Sequence, residues 1–270
     1  MTVREVLRAA AEYLGRKGVD SPRLDAERLL AHALGLSRIE LYTQHDRPVT
    51  EAERSAARAL VERRGRREPL AYVLGEWGFH RLVLRTDARA LVPRPETEVV
   101  VERALTLLGG VRTPRVLDVG TGSGAIALAI ASERPDATVT ATDVSSEALA
   151  LARENADRLG LGVAFVETSL LEGVAGRFDL VVSNPPYVLP GEPLQPELEY
   201  EPREALLDAG QTEAVAGDAR GVLDGWLVLE THAERAGAAA EMLARLGYAG
   251  VSVTRDLAGK ERVVEARWTP

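Results

Sequence analysis

The stretch Asp118-Val119-Gly120-Thr121-Gly122-Ser123-Gly124-Ala125 joins an apolar run, Arg115–Val119, to a helical run, 125–133. Its reading decides the fold. Glycines at a strand-to-helix junction let the chain turn tightly and bring backbone N–H groups against a ligand at the helix N-terminus. The segment also fits the dinucleotide-binding pattern, with Ala125 in the third small position. Downstream, Thr138–Val144 reads as a second strand with Asp143 near its end. A carboxylate there can accept hydrogen bonds from both ribose hydroxyls of an adenosine moiety. Asp118 is placed to meet either the loop backbone or a ligand amino group. These features point to an adenosine-containing cofactor without choosing its class.

Outward from the loop, strands and helices alternate. A helix over 145–159, a strand at 163–167, a strand at 178–183, a strand at 226–230 and a helix over 232–246 follow in turn. That rhythm predicts a parallel sheet with right-handed crossovers. The last two strands, 251–255 and 262–268, are separated by so short a turn that they can pair only antiparallel.

Upstream, residues 1–75 read as helices alone. Val3, Val6, Leu7 and Ala10 share a helical face, Pro22 opens a second helix that Gly35 ends, and Thr50 with Glu53 forms a capping box. Residues 76–92, with Trp77, Phe79, Leu82 and Leu84 and turns expected at Gly78 and Asp87, read as a short β linker. The resulting division is 1–75, a helical recognition domain; 76–92, the linker; and 93–270, the α/β domain.

Composition narrows the function classes. The chain of 270 residues, 46% hydrophobic, can bury a real core, and the absence of cysteine excludes disulfides, thiolate metal sites and cysteine nucleophiles. His32, His45, His80 and His232 lack metal-ligand spacing, so no metal is expected. A net charge of -8 argues against a broad phosphate-binding surface. The cluster Arg54, Arg58, Arg63, Arg64, Arg66 and Arg67, diluted by glutamates, reads as a solvated helix face. No run approaches a membrane span or a signal core, so a soluble, cytoplasmic protein is expected.

The reaction is suggested by Asn184-Pro185-Pro186-Tyr187, which follows the strand Phe178–Ser183 at the carboxyl edge of the sheet. Consecutive prolines remove backbone donors and stiffen a loop that displays carbonyl oxygens. Methylating an amide nitrogen requires such a loop, because the lone pair is delocalised and must be aimed. The Asn184 side-chain oxygen and the Pro185 carbonyl can hold the two N–H bonds, and their dipoles bind the developing positive charge more tightly. Tyr187 can pack on a flat substrate group.

Taken together, these residues resemble the release factor glutamine methyltransferases, the HemK/PrmC family. The resemblance runs nearly end to end: the helical N-terminal region, Pro93-Arg94-Pro95-Glu96-Thr97-Glu98, the glycine loop, Asp143, Asn184–Tyr187, and Glu201-Pro202 followed by Ala205-Leu206. It implies a Rossmann-like, seven-stranded S-adenosylmethionine-dependent methyltransferase domain behind an all-α N-terminal bundle. It implies methyl transfer to the side-chain nitrogen N5 of the glutamine in the Gly-Gly-Gln motif of peptide chain release factors, with S-adenosyl-L-homocysteine as product. The expected cofactor-binding residues are Asp118, Gly120, Thr121, Gly122, Ser123, Gly124, Asp143, Leu170 and Asn184. Pro93–Glu98 is expected to line the catalytic cavity, with Arg94, Pro95 and Glu96 binding substrate together with Asn184–Tyr187, in a monomer that engages protein rather than nucleic acid or membrane. Three other readings compete: a nucleic-acid adenine N6 methyltransferase, a dinucleotide-dependent oxidoreductase, which gives Asn184–Tyr187 no role, and a non-catalytic cofactor-binding partner of translation.

Two departures from the family pattern stand out. Ser169-Leu170 lies where relatives often carry an acidic and then an aromatic residue near the adenine, and Thr231-His232 lies where a glycine is common. Weaker cofactor affinity is expected from the first. Ser169→Asp should therefore tighten S-adenosylmethionine binding in calorimetry, and binding no tighter than wild type would count against this assignment.

Overall fold

The computed structural model describes residues 1–270, which divide into two compact units: Met1–Glu76 with Leu194–Tyr200, and Trp77–Pro193 with Glu201–Pro270. No helix is long and apolar enough to cross a membrane.

The first unit contains α1 (Val3–Arg16), α2 (Pro22–Leu34), α3 (Arg38–Thr43), α4 (Glu51–Gly65) and α5 (Leu70–Leu74). Capping boxes at Thr2/Glu5, Ser37/Glu40 and Thr50/Glu53 satisfy orphan N–H groups at three helix starts. Gly35 ends α2 in the left-handed conformation. Val3, Leu14, Ala26, Leu29, Leu30 and Leu41 are among the residues of the core.

The arginine cluster is not simply the solvated face expected. Arg64 is buried, with its Nε 2.7 Å from Asp25 Oδ2 and its Nη1 2.8 Å from Glu197 Oε1. Arg67 grips the same Glu197 through Nε and Nη2, at 2.6 and 2.7 Å. Tyr200 donates its hydroxyl to the Arg66 carbonyl at 2.7 Å. A segment distant in sequence thus completes the helical unit by supplying the counter-charge that buried arginine requires.

At the start of the second unit, β1 (Glu76–Phe79) and β2 (Leu82–Arg85) form a two-stranded sheet. Its turn falls at His80-Arg81, with His80 at φ 52°, and not at Gly78, which stays inside β1. A 3-10 turn over Pro95–Thr97 leads into α6 (Glu98–Leu107). Then follow β3 (Arg115–Val119), α7 (Ala125–Glu133), β4 (Thr138–Asp143), α8 (Ser146–Leu159), β5 (Val163–Glu167) and β6 (Phe178–Ser183). After a long loop come α9 (Gln211–Ala219), β7 (Leu223–Glu230), α10 (Ala236–Arg245), β8 (Ala249–Arg255) and β9 (Glu261–Trp268).

The seven strands lie in the order β5-β4-β3-β6-β7-β9-β8, all parallel except β9, which runs against both neighbours. Buried side chains alternate between the two faces. Val116, Leu180, Val182 and Val228 pack with α6 and α7, whereas Leu117, Val119, Val181, Leu227 and Leu229 pack with α9 and α10. Such two-sided burial explains why these strands read as continuous apolar runs. The expected fold class, a Rossmann-like seven-stranded methyltransferase sheet preceded by helices, is the one observed.

Register places the site. Val119 pairs with Thr142 on one side and with Ser183 on the other, and Ser183 pairs with Leu229. The next residues, Asp143, Gly120, Asn184 and Glu230, therefore stand side by side at the carboxyl edge. Because β4 and β6 lie on opposite sides of β3, the loops after β3 and β6 diverge there, which opens the crevice that such sheets use for ligands.

One close approach holds this register. At Gly225 of β7 an added Cβ would sit 2.0 Å from the Asp179 carbonyl oxygen, beside the bulge between Phe178 and Leu180. Gly225→Ala should destabilise the protein by roughly 1–3 kcal/mol or more, seen as a lower denaturant midpoint. An unchanged midpoint would mean that β6 and β7 do not approach this closely.

Candidate active site

The crevice is a cavity of about 370 Å³, within the usual size of small-molecule sites. Its walls come from the segment before α6, the loops after β3, β4 and β6, and α9.

The glycine loop follows β3 with Gly120, Gly122 and Gly124 all at positive φ, between 56° and 85°. At Gly124 a Cβ would also meet Leu128 Cδ1 at 2.9 Å, so glycine is required twice over, for backbone and for space. The expectation that this loop aims its N–H groups at a ligand is corrected by the structure. Gly120 and Thr121 both donate to the Thr142 carbonyl at 2.9 Å, Gly122 donates to Asp143 Oδ2 at 2.8 Å, and Gly124 donates to the Thr121 carbonyl at 2.9 Å. For the first three the acceptors belong to the adjacent parallel strand β4, and the fourth bond closes a turn within the loop. Four N–H groups of the loop are therefore already committed.

Two carboxylates lie at this loop. Asp143 accepts from Gly122 and, through Oδ1, from the Ser145 N–H at 2.9 Å; burial holds its carboxyl above the usual range despite these bonds. Asp118 is 1% exposed and sits behind the loop, where Oδ2 accepts from Thr121 Oγ1 at 2.6 Å and from the Ala127 N–H at 3.1 Å. Its Oδ1 has no partner, and burial pushes the carboxyl up to about 7. The open choice for Asp118 is thereby narrowed: one oxygen serves the loop and helix, and the other is free of both.

On the opposite wall, Asn184 donates from Nδ2 to Thr97 Oγ1 at 3.3 Å, which leaves Oδ1 as the uncommitted end. Pro185 and Pro186 also line the cavity. Tyr187 does not. Its ring is tilted against His232 with centroids 6.0 Å apart, and its carbonyl accepts from Arg235 Nη1 at 2.7 Å. Arg235 also reaches Asp208 Oδ2 at 3.2 Å and Glu192 Oε1 at 3.3 Å, which pins the start of the long loop.

Of the residues expected to bind cofactor, Gly120, Thr121, Gly122, Ser123, Asp143, Leu170 and Asn184 line the cavity, whereas Asp118 and Gly124 support it from behind. Leu170 is itself at positive φ, 52°, with its carbonyl accepting from Thr142 Oγ1 at 3.0 Å. Arg94 reaches the wall but is paired with Glu201, which also accepts the Val92 N–H at 3.0 Å. Pro95 and Glu96 are exposed on their turn and outside the lining. Pro93 and Thr97, within the block expected to line the cavity, do so. Sequence reading missed Val144 and the α9 residues Gln211, Ala214 and Val215, none of which carried a local signal.

A family model described as PrmC N-terminal domain matches residues 5–75, and one described as Methyltransferase small domain matches residues 97–221. The release factor glutamine methyltransferase of Deinococcus radiodurans is 44% identical, over 99% of this chain and 99% of its own. That of Geobacter sulfurreducens is 42% identical, over 98% and 96%. Among solved structures, the T. thermophilus rRNA methyltransferase RsmC, in complex with AdoMet and guanosine, superposes with TM-score 0.54 at 18% identity, covering 72% of this chain and 49% of that one. A methyltransferase from Pyrococcus furiosus gives TM-score 0.51 at 22% identity, covering 69% and 89%. At such identities the structures establish a shared fold.

Burial of Asp118 carries a stability cost with a definite pH window. Its folded-state pKa, about 7, exceeds the ordinary 3.8, so stability falls as pH rises between the two and the full cost is present above 7. Asp118→Asn should melt higher than wild type at pH 8, with the advantage lost by about pH 4. An equal difference at both pH values would show that the charge is not responsible.

Proposed function

The chain belongs to the release factor glutamine methyltransferase family, and on that footing we propose that it moves a methyl group from S-adenosylmethionine to N5 of the glutamine in the Gly-Gly-Gln motif of release factors. The observation that carries the reading is the orientation of Asn184: with Nδ2 occupied by Thr97, Oδ1 is the end left to accept an N–H in the crevice.

The residues present fit the cofactor. The crevice combines apolar walls (Val144, Leu170, Ile126) with the Asp143 carboxylate and, behind the loop, the unpartnered Asp118 Oδ1. A cationic amino group suits this acidic end, whereas a pyrophosphate would face the Asp143 carboxylate, a second carboxyl behind the loop and occupied N–H groups, which disfavours the dinucleotide reading. When bound, S-adenosylmethionine supplies an electrophilic methyl group. Asp143 would take the ribose hydroxyls with its remaining lone pairs, and Val144 and Leu170 would flank the adenine.

The protein's own part is alignment. Asn184 Oδ1 and the Pro185 carbonyl accept the two N–H bonds of the substrate amide, turning its nitrogen lone pair towards the methyl carbon. As nitrogen becomes positive, the same acceptors hold it more strongly, so binding is tightest in the transition state. Proline at 185 and 186 keeps the loop free of donors that would compete for these oxygens. Tyr187, with His232 beside it, flanks the approach to the loop. The helical N-terminal unit engages the release factor, and the enzyme works as a cytoplasmic monomer.

Incubation with labelled S-adenosylmethionine and release factor tests the assignment. Wild type should label the factor and not its Gln-to-Ala variant. Asn184→Ala should lose at least a hundredfold in kcat, about 2.7 kcal/mol of transition-state stabilisation, with cofactor affinity nearly intact. Label on the Gln-to-Ala factor or on added RNA would overturn the substrate, and unchanged turnover would overturn the role of Asn184.

A further inference from the structure

Glu230 has no role in the mechanism above, yet it is a buried carboxylate beside the site with both oxygens unpartnered. It ends β7 next to Asn184 in the register row, is 1% exposed, and neither carboxylate oxygen has a hydrogen-bond partner. An unpaired buried carboxylate is strongly unfavourable and is replaced easily unless something nearby needs it. The hydroxyl of Thr97 lies close enough to favour its charged form, although no hydrogen bond is closed. Thr97 is itself buried, and its Oγ1 already accepts from Asn184 Nδ2. A hydroxyl has one proton to give and two lone pairs to offer. With a lone pair spent on Asn184, the Thr97 proton has the Glu230 carboxylate as its nearby acceptor.

We propose that Glu230 is a positioning residue that acts through Thr97. The carboxylate draws the Thr97 proton, the oxygen of Thr97 is thereby presented as an acceptor, and Asn184 must turn Nδ2 towards it and Oδ1 towards the substrate. Without this chain the two ends of an asparagine amide differ little in shape, and a flipped Asn184 offers the substrate a donor where an acceptor is required. The inference deepens the methyl-transfer reading and rests on it for its kinetic consequences, while the orientation of Asn184 can be measured with no substrate at all.

The chain has a pH dependence with a definite sign. Burial raises the Glu230 carboxyl to about 7, opposed by Thr97 and by Arg262 of β9; Arg94 lowers it further and Glu96 raises it, both from the segment before α6, and Tyr187 of the catalytic loop faces it as well. Above that value the carboxylate accepts from Thr97. Below it the protonated carboxyl donates to Thr97 Oγ1 and competes with Asn184 for the same oxygen, so kcat should fall with decreasing pH.

The test measures kcat at saturating donor and release factor from pH 5.5 to 9, together with the side-chain amide NMR signals of Asn184. Wild type should show an acidic limb near pH 7, and the Asn184 signals should titrate with it. Glu230→Gln, which keeps an acceptor oxygen and cannot ionise, should lose both the limb and the titration. Thr97→Val should cut kcat roughly ten- to a hundredfold with little change in KM or in cofactor affinity by calorimetry, and Thr97→Ser should recover most of it. Combining Thr97→Val with Glu230→Leu should be no worse than Thr97→Val alone. If Glu230→Leu does not fold, the Thr97 variants and the NMR titration still decide. Asn184 signals that ignore pH in wild type, or that still titrate in Glu230→Gln, overturn the proposal. Wild-type kcat in Thr97→Val does so as well. Wild type that fails to methylate release factor overturns the functional reading instead, and the NMR arm stands apart from it.

Discussion

The edge of the second unit's sheet, where the crevice opens, depends on the parallel register of four strands. Pairing of Thr142, Val119, Ser183 and Leu229 in one row delivers Asp143, Gly120, Asn184 and Glu230 as the next row, at the edge where the strands end. A slip of one residue would exchange the two faces of a strand and send its functional side chain to the wrong layer. The register is guarded by the buried apolar residues on both faces, by the close approach at Gly225, and by the bond from Ser183 Oγ to the Val119 carbonyl, at 2.7 Å.

The carboxyl edge of the sheet also concentrates unfavourable electrostatics. Asp118 and Glu230 are both buried with unpartnered oxygens, and burial raises the carboxyl of each to about 7. Elsewhere the protein pairs its buried charges: Arg103 with Glu265, Arg262 with Asp256, Arg64 with Asp25 and Glu197. The contrast singles out the carboxyl edge as the place where buried carboxylate oxygens go unpaired, and perturbed groups of this kind cluster at functional sites.

Several parts of this arrangement were legible in sequence for physical reasons. Thr50/Glu53, Pro22 and Gly35 act within a few residues of themselves, so the helix boundaries they set are local matters. The glycine loop, Asp143 and Asn184–Tyr187 are likewise short-range signatures of strand ends. Less legible were α3 and α9, which are short or weakly patterned, and the turn at His80, where a non-glycine residue adopts positive φ against its preference. Neither the inward turn of the α4 arginines nor the place of Leu194–Tyr200 had a local signal. Both depend on Glu197 lying between Arg64 and Arg67, more than a hundred residues away in the chain.

Local chemistry and periodicity in the amino-acid order determined the helical N-terminal unit, the alternating parallel sheet, the glycine loop with Asp143 at the strand end, and the proline-stiffened loop at Asn184–Tyr187. Tertiary structure alone decided how those pieces are used. It committed the Gly120, Thr121 and Gly122 N–H groups to the neighbouring strand, turned Tyr187 out of the cavity wall towards His232, and tied Arg94 to Glu201. It also placed Glu230 and Thr97 beside Asn184. A carboxylate at the end of an apolar strand has no meaning until its neighbours are known, because burial and hydrogen bonding are properties of the assembled site and not of the residue.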